Sequence, residues 1–434
     1  MPDAIIDFLP LVEQRRIQTV RLREHVRYCR EHSPHYGALT QTPDTVTLEN
    51  LADIPFTDKA QFAVDNARFL AVPPAQIVDI VFSSGTTGEP TPVMYTVEDL
   101  ARLANNEARA FAASGITAAD TALLTCTLDR CFVAGFAYCS GLQKLGAACI
   151  RNGISSLESH QAIMRKMRPT VLVGVPVFLR RLGCFLRQNN GAFEAAGVRH
   201  LICIGEPLRD EKLNPLAVTR ELADLFPNAT AHSTYASSEC VSPFCECPAG
   251  CGGHLLPDIA VLEIVDSAGR RLPDGEVGEV VITPLGIRGM PLLRFRTGDM
   301  SFMLTTPCAC GRHSPRLGPI IGRRNEMMKV QGTTLYPAAF FNVLDRMQGI
   351  SQSYVTVTSA DRLSDCVCVT AAVCDPALTE AEIVRQLQAV LRVKPQVRIE
   401  PEEQVLAVVY TNQSRKPVRF LDRRANERKD GQAT

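Results

Sequence analysis

Between Thr121 and Leu225 the chain alternates short apolar runs with longer stretches whose apolar residues recur at helical spacing. The runs Thr121–Cys126, Ala147–Arg151, Thr170–Val175 and His200–Gly205 have the length of strands and carry little polar interruption, the pattern of strands covered on both faces. Stretches around Gly135–Leu145, Leu157–Met167, Pro176–Arg187 and Asp210–Leu225 predict the covering helices. The implied class is α/β, with parallel sheets flanked by helices. From Ile259 the texture turns to strands and turns: Ile259–Val265, the Asp274–Gly275 turn, Val277–Thr283 and Ser301–Leu304. Beyond a glycine-bounded segment at 322–332, the pattern predicts a helix at Ala338–Met347, strands Tyr354–Thr358 and Cys366–Val373, a helix Glu380–Leu391 and a strand Gln396–Glu400. The predicted organisation is a large N-terminal domain at 1–325 with a β-rich part at about 259–321, a hinge at 326–332 and a small, mobile α+β domain at 333–434.

Composition narrows the classes of partner. The 434 residues carry equal numbers of acidic and basic side chains, so no global field calls for nucleic acid or an anionic membrane. No stretch has the length and apolarity of a membrane span or the order of a signal peptide, and a cytoplasmic location is expected. Sixteen cysteines are many for that compartment. Most lie in apolar segments as small hydrophobes, but Cys240, Cys245, Cys247 and Cys251, followed by Cys308 and Cys310, form clusters that point to a metal before a disulfide.

Chemistry is concentrated after the apolar run Ile77–Phe82, where Ser83, Ser84, Gly85, Thr86, Thr87 and Gly88 make a glycine- and hydroxyl-rich loop suited to a phosphate. It is no Walker loop, because Glu89–Pro90 follows Gly88 where a lysine would stand. Strand ends elsewhere carry Gly205–Glu206–Pro207 and Tyr235–Ala236–Ser237–Ser238–Glu239, positions where open α/β sheets hold ligands.

Taken in order, Ser83–Pro90, Gly205–Pro207, Tyr235–Glu239, Phe295–Asp299, Gly322–Arg323 and Lys416 resemble the adenylate-forming superfamily. Cys247–Pro248 with His254 and Asp258, Gly289–Leu292 before Arg294–Asp299, and Cys308–Arg312 resemble its phenylacetate-CoA ligase branch. The resemblance implies an ATP-dependent ligase: a small, aromatic carboxylic acid attacks the α-phosphate of ATP, and a thiol, coenzyme A, then displaces AMP. It further implies that Ser83–Gly88 hold the β- and γ-phosphates and that Glu239 binds Mg²⁺. Gly205, Glu206, Pro207, Tyr235, Ala236 and Ser238 would surround the nucleotide, with Asp299 and Arg323 at its ribose and phosphates. Lys416 would bridge carboxylate and α-phosphate, a task suited to a long flexible cation.

The same resemblance implies a structural Zn²⁺ on Cys247, His254, Cys308 and Cys310, a closed Cys₃His set with no position left for water; Cys245 and Cys251 compete as ligands. The acid would lie against Phe132, Val133, Phe136 and Tyr138, the first and third of which are one helical turn apart. Three departures from the family stand out: Glu89 replaces a common lysine, Cys131–Phe136 replaces a Tyr/Gly-rich segment, and Glu326 stands in the hinge where family members often have Asp. Two further readings stay open, an enzyme that loads an acyl carrier protein or feeds amide formation, and a catalytically lapsed nucleotide- or partner-binding protein. A homodimer is the assembly considered.

Overall fold

Val171–Gly174 is buried at every position and lies within a nine-stranded sheet. The computed structural model describes residues 3–83, 90–359, 365–410 and 417–424, with side chains from residue 6. The sheet runs in the order Met303–Leu304, Arg316–Leu317, Gly253–His254, Phe244–Glu246, Thr230–Tyr235, His200–Ile204, Val171–Gly174, Thr121–Leu124, Ala148–Arg151. Its last five strands are parallel, and the first four extend the sheet antiparallel.

Alternate side chains of the parallel strands enter different cores. Leu123, Leu172, Leu201 and Cys203 pack with Leu179, Leu182 and Leu225, while Ala122, Leu124, Val173, Ile202 and Ile204 pack with Phe111, Tyr138 and Leu142. Two-sided burial is why these strands read as unbroken apolar runs. A further sheet orders Thr57–Asp58, Phe295–Ser301, Gly278–Pro284 and Ala260–Val265, and Asp79–Ser83 pairs with Thr91–Tyr95 as a hairpin.

Local signals place the helices. Thr96 and Asp99 form a capping box for Val97–Ala113, and the left-handed Gly146 ends Val133–Leu145. Asp99 has a second task, accepting the backbone N–H groups of Arg288 at 2.7 Å and Gly289 at 2.8 Å. Gly289 is required there, because a Cβ would stand 2.5 Å from Met94 O.

The predicted helix Asp210–Leu225 is shorter, Ala217–Leu225. Asp210 Oδ1 instead accepts from Lys212 N and Asn214 N, each at 2.9 Å, and Leu213 is left-handed at φ 65°. An aspartate that satisfies the backbone locally competes with the helix.

The chain divides into two units, Met1–Thr297 with Ser301–Ile320, and Gly298–Met300 with Ile321–Thr434. In the second, strands Gln396–Ile399, Asp365–Val373, Ile350–Ser359 and Phe420–Asp422 form a sheet in that order. Helices Pro337–Leu344 and Glu380–Leu391 contribute Phe340, Leu344, Ile383 and Leu387 to its core. Segment 326–332 contains most of a β-hairpin, Met328–Val330 with Thr333–Leu335, turning at the left-handed Gln331 and Gly332. Met328 and Val330 belong to the second unit's core. Among the described residues, no helix is long and apolar enough to cross a membrane.

Candidate active site and metal centre

Parallel register brings the predicted strand ends to one edge. Ile204 pairs with Thr234, so Gly205 and Tyr235 leave neighbouring strands at the same level, and Cys203 pairs with Gly174 beside them. Gly205 has φ 75°, a conformation that favours glycine. Glu206 accepts from Val177 N at 3.3 Å, in the first turn of helix Pro176–Gln188, where negative charge suits both the unpaired N–H groups and the helix dipole. Tyr235 packs near Phe244, ring centroids 6.1 Å apart.

The turn after Tyr235 is tied from behind. Tyr95 OH donates to Ser238 O at 2.6 Å, and Ser237 Oγ accepts from Cys240 N at 3.3 Å. Val241 O accepts from Arg102 at 2.8 Å and Asn106 at 2.7 Å. Val241 itself sits at φ 49°, costly for a β-branched residue unless the surroundings fix it. The result is a buried Glu239 whose Oε1 is 3.8 Å from Lys59 Nζ. Neither Lys59 nor the clamping Tyr95, Arg102 and Asn106 was a sequence candidate; a visible signal is the Asp58 N-cap with Gln61 that starts the lysine's helix.

A cavity of about 390 Å³ lies between strand Asp79–Ser83 and the segment Leu128–Val133, lined in part by Phe132, Val133, Phe136, Ile80 and Leu100. Asp79 and Asp129 also line it. Phe82 N donates to Cys131 O at 2.8 Å, and Arg130 and Cys131 are both left-handed, so the segment is held in an uncommon backbone state. Tyr138 is not a lining residue. It is buried against Phe111, ring centroids 6.1 Å apart, on the core side of its helix. Ser83 ends its strand paired with Thr91, whereas Ser84, Gly85, Thr86, Thr87, Gly88 and Glu89 lie outside the described residues, as does Lys416.

Cys247, His254, Cys308 and Cys310 offer ligand atoms that all lie within 4.8 Å of one another. Cys247 follows strand Phe244–Glu246, His254 lies on Gly253–His254, and Cys308 and Cys310 sit in the loop before Arg316–Leu317. Gly253 is needed where these strands meet, since a Cβ would be 2.4 Å from Phe244 O. The Cys247–Cys308 sulfurs are 3.6 Å apart, and Cys310 Sγ is 3.4 Å from His254 Nε2. A tetrahedron built on Zn–S of about 2.3 Å has edges of about 3.8 Å, so the donor set fits zinc in type and size.

His254 Nδ1 is 3.1 Å from Ser314 Oγ, which leaves Nε2 for a metal. Burial, reinforced by Arg312 and Arg316, pushes the imidazole down to about 3 and keeps it neutral. The competing cysteines separate by geometry. Cys245 Sγ lies 3.1 Å from Ser114 Oγ, while Cys251 Sγ is 3.7 Å from Cys308 Sγ but accepts from Arg316 at 2.7 Å.

In the second unit, Asp299 is the backbone partner of Arg323 in an antiparallel pair, and Arg323 Nε lies 3.4 Å from Asp299 Oδ1. Glu326 has its carboxyl raised, mainly by burial, with Arg323 opposing.

Comparison with known proteins follows the same outline. The AMP-binding enzyme family matches residues 21–287. A phenylacetate-coenzyme A ligase of Thermus thermophilus is 30% identical over 83% of this chain and 81% of its own length. A phenylacetate-coenzyme A ligase of Pseudomonas putida is 28% identical over 78% of this chain and 77% of its own. Among solved structures, 2-hydroxyisobutyryl-CoA ligase with 2-HIB-AMP in the postadenylation state superposes with TM-score 0.84 at 22% identity, covering 99% of this chain and 93% of that one.

Proposed function

This chain belongs to the AMP-binding enzyme family, and on that premise we propose that it joins a small aromatic carboxylic acid to coenzyme A through an acyl-adenylate. In the first step a carboxylate oxygen attacks the α-phosphorus of ATP and pyrophosphate leaves. In the second the coenzyme A sulfur attacks the acyl carbon and AMP leaves. The observation that carries this reading is the parallel register that brings Gly205 and Tyr235 to one edge of the sheet, with the buried Glu239 in the turn that follows Tyr235, in a chain whose curated relatives above are phenylacetate-coenzyme A ligases.

Roles follow from the chemistry of each group. Ser83 and the loop Ser84–Gly88 bind the β- and γ-phosphates by hydroxyl and N–H donation, while Gly205, Glu206, Pro207, Tyr235, Ala236 and Ser238 surround the adenosine. Asp299 accepts from the ribose hydroxyls with Arg323 beside it, and Lys416 offsets the charge that develops between carboxylate and α-phosphate. A lone buried carboxylate such as Glu239 suits Mg²⁺, which takes one or two carboxylates and completes its shell with phosphates and water; when bound, the ion neutralises phosphate charge. Phe132, Val133 and Phe136 provide an apolar wall for an aryl ring. Cys247, His254, Cys308 and Cys310 hold a structural zinc that ties the antiparallel extension of the large sheet together.

ATP–pyrophosphate exchange across benzoates, phenylacetates and fatty acids tests the first step. Aromatic acids are expected to drive exchange; failure of every acid would exclude the ligase and leave the lapsed, nucleotide-binding reading. With the best acid, thioester on coenzyme A is expected, and thioester on a phosphopantetheinyl carrier alone would redirect the assignment to carrier loading.

A further inference from the structure

Glu239 and Lys59 are far apart in sequence and meet only through the fold. Glu239 follows strand Thr230–Tyr235, and Lys59 is the first residue of helix Lys59–Val64. The lysine's backbone is fixed on both sides. Thr57 and Asp58 pair with Phe295 and Arg296, and Asp58 Oδ1 accepts from Gln61 N at 2.8 Å within a capping box. The Glu239 side chain is 3% exposed and that of Lys59 27%, with Nζ 3.8 Å from Oε1. Tyr95, the nearby buried hydroxyl, is committed to Ser238 O. A buried carboxylate needs a partner charge, and Lys59 is close enough to supply one yet too distant for a tight hydrogen bond.

We infer that Lys59 is the resident counter-ion of Glu239, holding the carboxylate in place before nucleotide arrives and competing with any divalent cation that approaches without phosphates. The inference rests on Glu239 being the metal carboxylate of the proposed function. A free cation would have to displace the ammonium for a single carboxylate. A cation delivered on ATP brings phosphate oxygens that complete its coordination. Lys59 is therefore a positioning residue that restricts the site to metal–nucleotide complexes.

The test measures binding of Mn²⁺ alone, without ATP or acid, by electron paramagnetic resonance on the full chain. Removing a cation at this distance and partial exposure should tighten free Mn²⁺ binding about tenfold in Lys59→Met and Lys59→Gln. Lys59→Arg should stay as weak as the wild type, and adding Glu239→Gln to Lys59→Gln should erase the gain. Should Lys59→Met fail to fold, Lys59→Gln, whose amide is polar but uncharged, carries the comparison. Unchanged or weaker Mn²⁺ binding in the folded neutral variants, or a gain that survives loss of Glu239, overturns the inference. Since no substrate is present, absence of pyrophosphate exchange would refute the adenylation reading while this comparison still gave its own answer.

Discussion

Replacing Arg294 by methionine should destabilise the larger unit by about 3–5 kcal/mol, the usual consequence of removing one partner from a buried ion pair. Arg294 and Glu263 side chains are each 3% exposed, and Nε and one terminal nitrogen each donate to a Glu263 oxygen at 3.0 Å. The remaining terminal nitrogen donates to Ala52 O at 3.0 Å and Ile54 O at 2.8 Å, and the guanidinium lies 4.0 Å from the Phe56 ring centroid. The substitution strands one carboxylate and two carbonyls in an apolar setting. Arg271, 3.8 Å from Glu263 and partly exposed, offsets only a fraction. Urea unfolding followed by circular dichroism suits a chain without tryptophan. The midpoint of the larger unit should fall with little change in slope. Arg294→Met with Glu263→Met should recover most of the loss, because the uncompensated charge is gone. A loss below about 1 kcal/mol, or a double variant worse than the single, would refute the claim that the pair's cost lies in the stranded carboxylate.

Other consequences are as specific. Glu107 is fully buried and its carboxyl is pushed up to about 8 by burial; the folded state therefore binds more protons than the unfolded state between about 4.5 and 8, so stability falls as pH rises through that window. Comparing urea midpoints at both ends, Glu107→Gln should flatten that slope, and an unchanged slope would remove Glu107 as its source. Metal analysis should give about one zinc per chain, lower in Cys308→Ser and His254→Ala and retained in Cys245→Ser; a metal-free wild type would exclude the centre. Phe132→Ala should raise KM for the preferred aromatic acid about tenfold while leaving KM for ATP unchanged, and a change confined to ATP would place the acid elsewhere.

The alternation from Thr121 to Leu225 disclosed the parallel sheet because its inner strands, Val171–Gly174 and most of Thr121–Leu124 and His200–Ile204, are buried on both faces, whereas the edge strand Ala148–Arg151 is only partly covered. Gly205 and Tyr235 were legible as strand-end positions because the runs before them mark where those strands stop. Other features depend on tertiary pairing. Lys59 reaches Glu239 only after Thr57–Asp58 has paired with Phe295–Arg296, and nothing in Thr57–Asp58–Lys59 announces that partner. The family resemblance groups Tyr138 with Phe136 at the acid site, but its face of the helix turns to Phe111. Cys251 could not be set apart from Cys247 by spacing, and it is the Arg316 donor at its sulfur that distinguishes it. The buried network of Arg109 with Asp7 and Asp258, to which Arg312 adds a longer contact with Asp7, was invisible for the same reason, its members being scattered along the chain.

The most direct test of the central claim is product stoichiometry. With ATP, Mg²⁺, coenzyme A and an aromatic acid that supports exchange, AMP and acyl-coenzyme A should appear one for one. Formation of ADP in place of AMP, or AMP release with no thioester at any coenzyme A concentration, would contradict it.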